Sequence, residues 1–207
     1  MKATDYQDGM KLPVAEEFYS IQGEGYHTGK AAYFIRIAGC NLRCSWCDSQ
    51  ITWDARIHPM VDVATIGSRV RATPAKSIVI TGGEPTLYNL NPLSNILKDS
   101  DITTYIETSG TGELTGTWDW LCLSPKQHKP PKDLFYQVAD ELKVVICEKK
   151  DLEWAAYAAK HVGSECQLYL QPEWSQFSTL IPIVVDYAKK FPKWNVSLQA
   201  HKFMHIP

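Results

Sequence analysis

Three cysteines, Cys40, Cys44 and Cys47, fall within eight residues in the segment Gly39-Cys40-Asn41-Leu42-Arg43-Cys44-Ser45-Trp46-Cys47-Asp48. A C-x3-C-x2-C loop this short can wrap three thiolates around one centre. A structural zinc closes its tetrahedron with four protein ligands, and here the fourth is missing locally. A [4Fe–4S] cubane held by three thiolates keeps one iron open to an exogenous ligand, which suits catalysis better than simple electron transfer. Two other readings are a zinc completed from a distance by His27 or His58, and three cysteines buried as plain packing. A second segment, Thr81-Gly82-Gly83-Glu84-Pro85, is equally a turn or a place where a main chain without Cβ atoms closely approaches a ligand. Cys122, Cys147 and Cys166 lie in or beside apolar runs and read as core residues.

The elements that would carry these groups alternate. Ala32–Ile37, Ser77–Thr81, Thr103–Thr108, Leu121–Leu123, Leu142–Ile146 and Leu168–Gln171 are short β-branched or aromatic runs that predict six strands. Helical periodicity covers Val61–Val70, Leu90–Lys98, Leu152–His161 and Thr179–Lys190, with Pro182 expected in a first turn. Strand and helix in turn argue for parallel βα units. A closed eight-unit barrel typically takes ~250 residues, so 207 residues predict an α/β fold of another shape. That shape is an incomplete, laterally open (βα)6-type partial barrel, with Asn195–Leu198 as an added edge strand. The cysteine loop follows the first predicted strand and the glycine pair follows the second, so both belong to the carboxyl ends of the strands, where such folds place their chemistry.

Composition narrows the classes. Twenty-one basic against 23 acidic residues leave a net charge of −2, which gives no global positive field for nucleic acid. No apolar run approaches the ~20 residues of a bilayer span, and the first thirty residues lack the apolar core of a signal peptide. The expectation is a soluble cytoplasmic protein with reduced thiols, folded as a single domain over 1–207, with residues 1–10 as an N-terminal extension. His128-Lys129-Pro130-Pro131-Lys132 reads as a solvated loop, and the six histidines show neither H-x3-H nor H-E-x-x-H spacing.

The cysteine spacing, together with the Gly82-Gly83 segment, resembles the signature of the radical S-adenosylmethionine superfamily. More of the chain is similar to one of its families, the 7-carboxy-7-deazaguanine synthases. The likeness runs through Ile21-Gln22-Gly23-Glu24-Gly25, Gly29, Phe34-Ile35-Arg36, Trp46-Cys47-Asp48-Ser49 and Ile106-Glu107-Thr108-Ser109-Gly110. It continues in Ser124-Pro125-Lys126, Gln171-Pro172 and Gln199-Ala200-His201-Lys202. The resemblance implies ring contraction of 6-carboxy-5,6,7,8-tetrahydropterin to 7-carboxy-7-deazaguanine with loss of ammonia, on the way to queuosine. It implies that Cys40, Cys44 and Cys47 hold a [4Fe–4S] cluster, that Trp46, Cys47, Asp48, Gly83, Ser124, Pro125, Lys126 and Gln171 hold S-adenosylmethionine, and that Ser49 gives an oxygen to Mg2+. Ile21, Gln22, Gly23, Arg36, Thr81, His201 and the terminal Pro207 would contact the pterin. Glu24 is a candidate for the guanidine-like edge of that ring, and Arg36 offers a two-pronged donor for its carboxylate. A homodimer and an external one-electron reductant of flavodoxin type are implied as well. Two rival functions are a radical activase that acts on a partner protein, which gives no reason for the Gln-Gly-Glu-Gly, Arg36 and His201 pattern, and a non-catalytic iron–sulfur or zinc module.

Overall fold

Period-two alternation of apolar residues, broken by Gly, Pro and polar turns, builds nine strands and six helices among the described residues. The structure is a computed structural model and describes residues 8–98 and 101–207. In chain order the strands are β1 (Lys11–Ile21), β2 (Ala31–Ile37), β3 (Met60–Asp62), β4 (Ser77–Gly82), β5 (Thr103–Thr108), β6 (Trp120–Leu123), β7 (Glu141–Ile146), β8 (Gln167–Pro172) and β9 (Trp194–Val196). The helices are α1 (Val63–Arg71), α2 (Asn91–Lys98), α3 (Asp133–Val138), α4 (Asp151–Ala158), α5 (Phe177–Lys190) and α6 (Ala200–Met204).

All nine strands join one sheet in the order β3-β1-β2-β4-β5-β6-β7-β8-β9. β2, β4, β5, β6, β7, β8 and β9 run parallel to one another, and β1 runs antiparallel to both β2 and β3. β3 and β9 end the order without pairing to each other, so the barrel is open at its side.

Along each parallel strand one set of side chains packs outward. Ile35, Ile37, Ile78, Ile80, Ile106, Leu123, Leu142, Val144 and Leu170 bury fully against Ile66, Val70, Leu93, Leu97, Phe135, Ala155 and Val184 of the helices. Each such aliphatic side chain contributes roughly 1.5–3 kcal/mol by leaving water. The alternate set faces inward and is layered by register. Phe34 lies beside Val79, Val79 beside Tyr105, and Tyr105 beside Trp120, which makes an apolar floor. One step towards the carboxyl ends, Arg36 lies beside Thr81, Glu107 beside Cys122, and Val145 beside Gln171. A polar cavity above an apolar floor follows from the alternation alone.

The expected elements differ in places. Ala32–Ile37 is the second strand, because β1 precedes it. Pro13, the adjacent Glu16 and Glu17, and a bulge between Val14 and Glu16 hide β1 from a pattern search. Met60–Asp62 pairs with β1 as β3, so α1 begins at Val63 rather than Val61. α5 starts at Phe177, which puts Pro182 inside the helix instead of in its first turn. α3 is only six residues long and showed no helical period. The edge strand is present as Trp194–Val196. Of the proposed extension, residues 1–7 lie outside the described set, while Gly9 is buried and a Cβ there would strike Asn89 O.

Candidate active site

The carboxyl end of β2 leads into the cysteine loop through Gly39, whose φ of +100° requires a residue without Cβ. The loop is pinned to the segment behind it by Gly39 N–H donating to Thr52 O (2.7 Å) and Cys40 N–H to Trp53 O (3.3 Å). Tyr88 Oη donates to Ala38 O at 2.8 Å, and Cys47 N–H closes a turn on Cys44 O at 3.0 Å.

The end of β4 packs directly on this loop. Gly83 N–H donates to Ile37 O (2.8 Å) and Glu84 N–H to Gly39 O (2.8 Å). A Cβ on Gly83 would meet Gly39 O and C and Thr52 O, all backbone, so only glycine lets the two segments lie this close. The fully buried Glu84 carboxylate fastens this arrangement to the end of β5. It accepts from Thr86 N–H (3.0 Å), Thr86 Oγ1 (2.5 Å), Thr108 Oγ1 (2.5 Å), Ser109 N–H (2.8 Å) and Ser109 Oγ.

The strand ends enclose a cavity of about 400 Å³. Cys40, Cys44 and Cys47 line it, as do Trp46, Asp48, Gly83, Ser124, Lys126 and Gln171. So do Ile21, Gln22, Gly23, Glu24, Arg36, Ser49, Thr81, His201 and Pro207. Residues from all along the chain thus meet at one cavity. Pro125 does not line it; it is buried behind the wall between Ser124 and Lys126.

The thiols are electrostatically close. Burial pushes the Cys44 thiol up, Lys126 opposes that, and Cys40 and Cys47 add to it. Lys126 also sits over the Trp46 ring at 5.4 Å. All six cysteines are free, and among the described residues no three His, Cys, Asp or Glu form a group that could hold a single metal ion. A four-iron cluster takes its thiolates at separate corners, so the loop does not have to bring them to one ion. The distant zinc ligands are occupied elsewhere: His27 stacks on Tyr105 at 4.1 Å, and His58 Nε2 lies 2.7 Å from Ile51 O. Three soft thiolates beside a lysine, with a glycine cradle next to them, fit an iron–sulfur cluster carrying an exogenous ligand.

Opposite the cysteines lies a chain of charged groups. Lys143 Nζ, on the inner face of β7, donates to Glu24 Oε2 (2.6 Å) and Glu107 Oε2 (3.3 Å). Gln22 Nε2 donates to Glu107 Oε1 (2.8 Å), and Gln199 Nε2 to Glu24 Oε1 (2.8 Å) and Asp48 Oδ2 (3.1 Å). Burial pushes the Glu24 carboxyl up, but the Lys143 charge and hydrogen bond, the Gln199 amide and His201 together outweigh it, and the net shift is downward. Burial likewise works against a charged Lys143, yet Glu107 and Glu24 carry it well above the ordinary lysine value. Burial holds His201 below the usual imidazole value against the pull of Glu24. Arg36 pairs with Glu16 (3.0 Å), reaches Ser49 Oγ through Nη1 (3.4 Å) and lies over Phe18.

The chain's last residues are anchored. Ala200 N–H donates to Gly23 O (2.8 Å), Phe203 packs edge-on against Trp174 (5.1 Å) and Phe177 (5.4 Å), and Ser20 Oγ donates to Pro207 O (3.1 Å). Lys202 Nζ donates to Asp48 Oδ2 at 2.6 Å, which ties the tail to the cysteine loop.

Sequence reasoning assigned no role to Glu107 or Lys143. The signal for Lys143 was present: it interrupts the apolar run Leu142–Ile146 at an inward position. Cys122 is buried, but it faces Glu107 and Glu141 on the inner side, outside the main core. Cys147 is only half-buried.

Fold and cavity together are those of a radical SAM protein, and the Radical SAM superfamily model matches residues 34–120. Over 97% of its length the chain is 48% identical to 95% of the 7-carboxy-7-deazaguanine synthase of Flavobacterium psychrophilum. It is 39% identical over 95% of its length to 94% of the Synechocystis enzyme of that name. The crystal structure of QueE from Escherichia coli superposes with a TM-score of 0.82 at 28% identity, covering 97% of this chain and 99% of that one. The chain belongs to the 7-carboxy-7-deazaguanine synthase family.

Proposed function

We propose that this chain catalyses ring contraction of 6-carboxy-5,6,7,8-tetrahydropterin to 7-carboxy-7-deazaguanine with release of ammonia, in the biosynthesis of queuosine and related deazapurines. The observation that supports it most is one cavity lined at once by the three-cysteine loop, the Gly83 cradle, the Gln22–Glu24 segment and His201. Cys40, Cys44 and Cys47 would hold the cluster, and Trp46, Cys47, Asp48, Gly83, Ser124, Lys126 and Gln171 would hold S-adenosylmethionine, with buried Pro125 shaping the wall. When bound, cluster and S-adenosylmethionine supply the one-electron chemistry that takes a hydrogen atom from the substrate and later returns one.

The chain's own residues bind, orient and shield. Ile21, Gln22, Gly23 and Thr81 would frame the pterin, with His201 and Pro207 closing over it. Arg36 would give its guanidinium to the substrate carboxylate, exchanging the half-exposed Glu16 for a better-placed partner. Ser49 Oγ, 3.4 Å from Arg36 Nη1, would offer one oxygen to a magnesium ion that shares the same carboxylate. Glu24 would accept from the donor edge of the ring. Asp48, held by Lys202 and Gln199, joins the cysteine loop to the lid made by α6.

A reduced, cytoplasmic setting suits six free cysteines, and among the described residues no helix is long and apolar enough to cross a membrane. Beyond the loop, Cys122, Cys147 and Cys166 are scattered, so an external one-electron reductant of flavodoxin type would supply electrons. A homodimer is part of this proposal. The test is anaerobic reconstitution followed by iron and sulfide counting and an adenosylmethionine cleavage assay with and without the carboxypterin. About four irons per chain and pterin-dependent formation of the deazaguanine are expected; cleavage that ignores the pterin would refute the substrate assignment.

A further inference from the structure

A buried lysine facing two carboxylates deep in a cavity is a costly arrangement that a plain barrel wall does not need. Lys143 has a side chain only 4% exposed, while Glu24 and Glu107 keep 17% and 21% on the cavity side. Its ammonium touches one oxygen of each acid, and the other oxygen of each takes an amide donor, from Gln199 and Gln22. Each carboxylate has about four lone-pair sites, so both still have acceptor capacity towards the cavity. The three groups together carry one net negative charge. That charge, with free acceptors at its edge, complements a planar heterocycle presenting adjacent N–H donors, the amidine-like side of a pterin.

We infer that Lys143 is a positioning residue: it keeps Glu24 and Glu107 both ionised and both aimed at the donor edge of the substrate. The inference rests on the reading of the cavity as a pterin site. Without the ammonium, two carboxylates sharing one half-buried site cannot both stay charged, and one takes a proton. That proton replaces an acceptor with a donor and faces the ring edge with the wrong partner. The other charged or titratable groups facing Lys143 are Cys122 on β6, Glu141 on β7, and Lys126 after β6, with His201 beside Glu24. Glu141 is held apart from the substrate by Trp120 Nε1 (3.1 Å) and Tyr26 N–H (3.3 Å).

The experiment compares reconstituted wild-type, Lys143→Met and Lys143→Arg proteins for pterin turnover from pH 6 to 9, and follows 13C-labelled glutamate carboxyls by NMR. For Lys143→Met the expected result is a KM raised about tenfold or more with kcat within about threefold, steepening as the pH falls. One carboxyl should titrate above its wild-type position, and arginine should restore KM to within about threefold. A folded Lys143→Met protein with wild-type KM and pH profile would overturn the inference, as would a pH-independent rise that arginine does not correct. If Lys143→Met does not fold, Lys143→Met/Glu24→Gln removes one acid with the base. The carboxyl signals of that double variant should then include one that departs from its wild-type titration, and an unchanged set of carboxyl titrations overturns the inference. The carboxyl titration needs no turnover, so a wild-type protein that ignores the carboxypterin would defeat the pterin reading and leave Lys143 separately judged.

Discussion

Glu84 shows how a motif residue can be structural and still decide chemistry. Its carboxylate gathers donors from its own turn and from the end of β5, which holds the Gly83 backbone against the cysteine loop. Glu84→Ala leaves those donors buried and unpaired, so a loss of about 3–5 kcal/mol is expected in anaerobic urea unfolding. Glu84→Gln keeps the shape but turns an NH2 group towards donors, and its loss should be intermediate. Gly83→Ala acts differently, because its Cβ meets only main chain. The two loops must part, and binding of S-adenosylmethionine, read by calorimetry on reconstituted protein, should weaken at least about tenfold for a stability change of ~1–3 kcal/mol. Near-wild-type affinity in Gly83→Ala would remove the cradle from the account.

At the scale of elements, the parallel strands were legible because their outward sets, such as Ile78 with Ile80 and Leu142 with Val144, are continuous with the helix faces that cover them. β1 was not legible, since Pro13 and Glu16-Glu17 break the apolar pattern that an edge-side antiparallel strand does not need. Charged residues on the inner face were hidden for the opposite reason: Lys143 and Glu107 look like interruptions until register sets them around one cavity. α6 was read only as a tail bearing His201, and what makes it an element is aromatic packing far apart in sequence, Phe203 on Trp174 and Phe177. Phe203→Ala should therefore loosen the lid. The expected outcome is faster proteolysis after Lys202 and a KM for the pterin raised about five- to tenfold, with overall unfolding shifted by less than ~1 kcal/mol; an unchanged KM would detach the lid from binding.

For the molecule as a whole, the floor of the barrel predicts how stability depends on pH. His27 lies flat on Tyr105 and edge-on to Trp120 and Tyr26. Burial, then the neighbouring Lys30, hold its imidazole at about 4 against an ordinary 6.5. The unfolded chain takes up a proton that the folded chain refuses between those values. Stability from this site is therefore full above pH 6.5 and is lost progressively as pH falls towards 4. His27→Phe keeps the ring stack without the titration, so its midpoint of thermal unfolding should fall less between pH 7 and pH 5 than that of the natural chain; parallel curves would exclude His27 as the source.

On the proposed function, cluster, adenosylmethionine and carboxypterin would share one cavity, and adenosylmethionine would be regenerated at each turnover. The most direct measurement is product formed under anaerobic, reducing conditions when S-adenosylmethionine is supplied below the amount of pterin. The account predicts several molecules of 7-carboxy-7-deazaguanine per adenosylmethionine, and none from a Cys44→Ala protein. Consumption of one adenosylmethionine for each turnover, or cleavage with the pterin left intact, would contradict it.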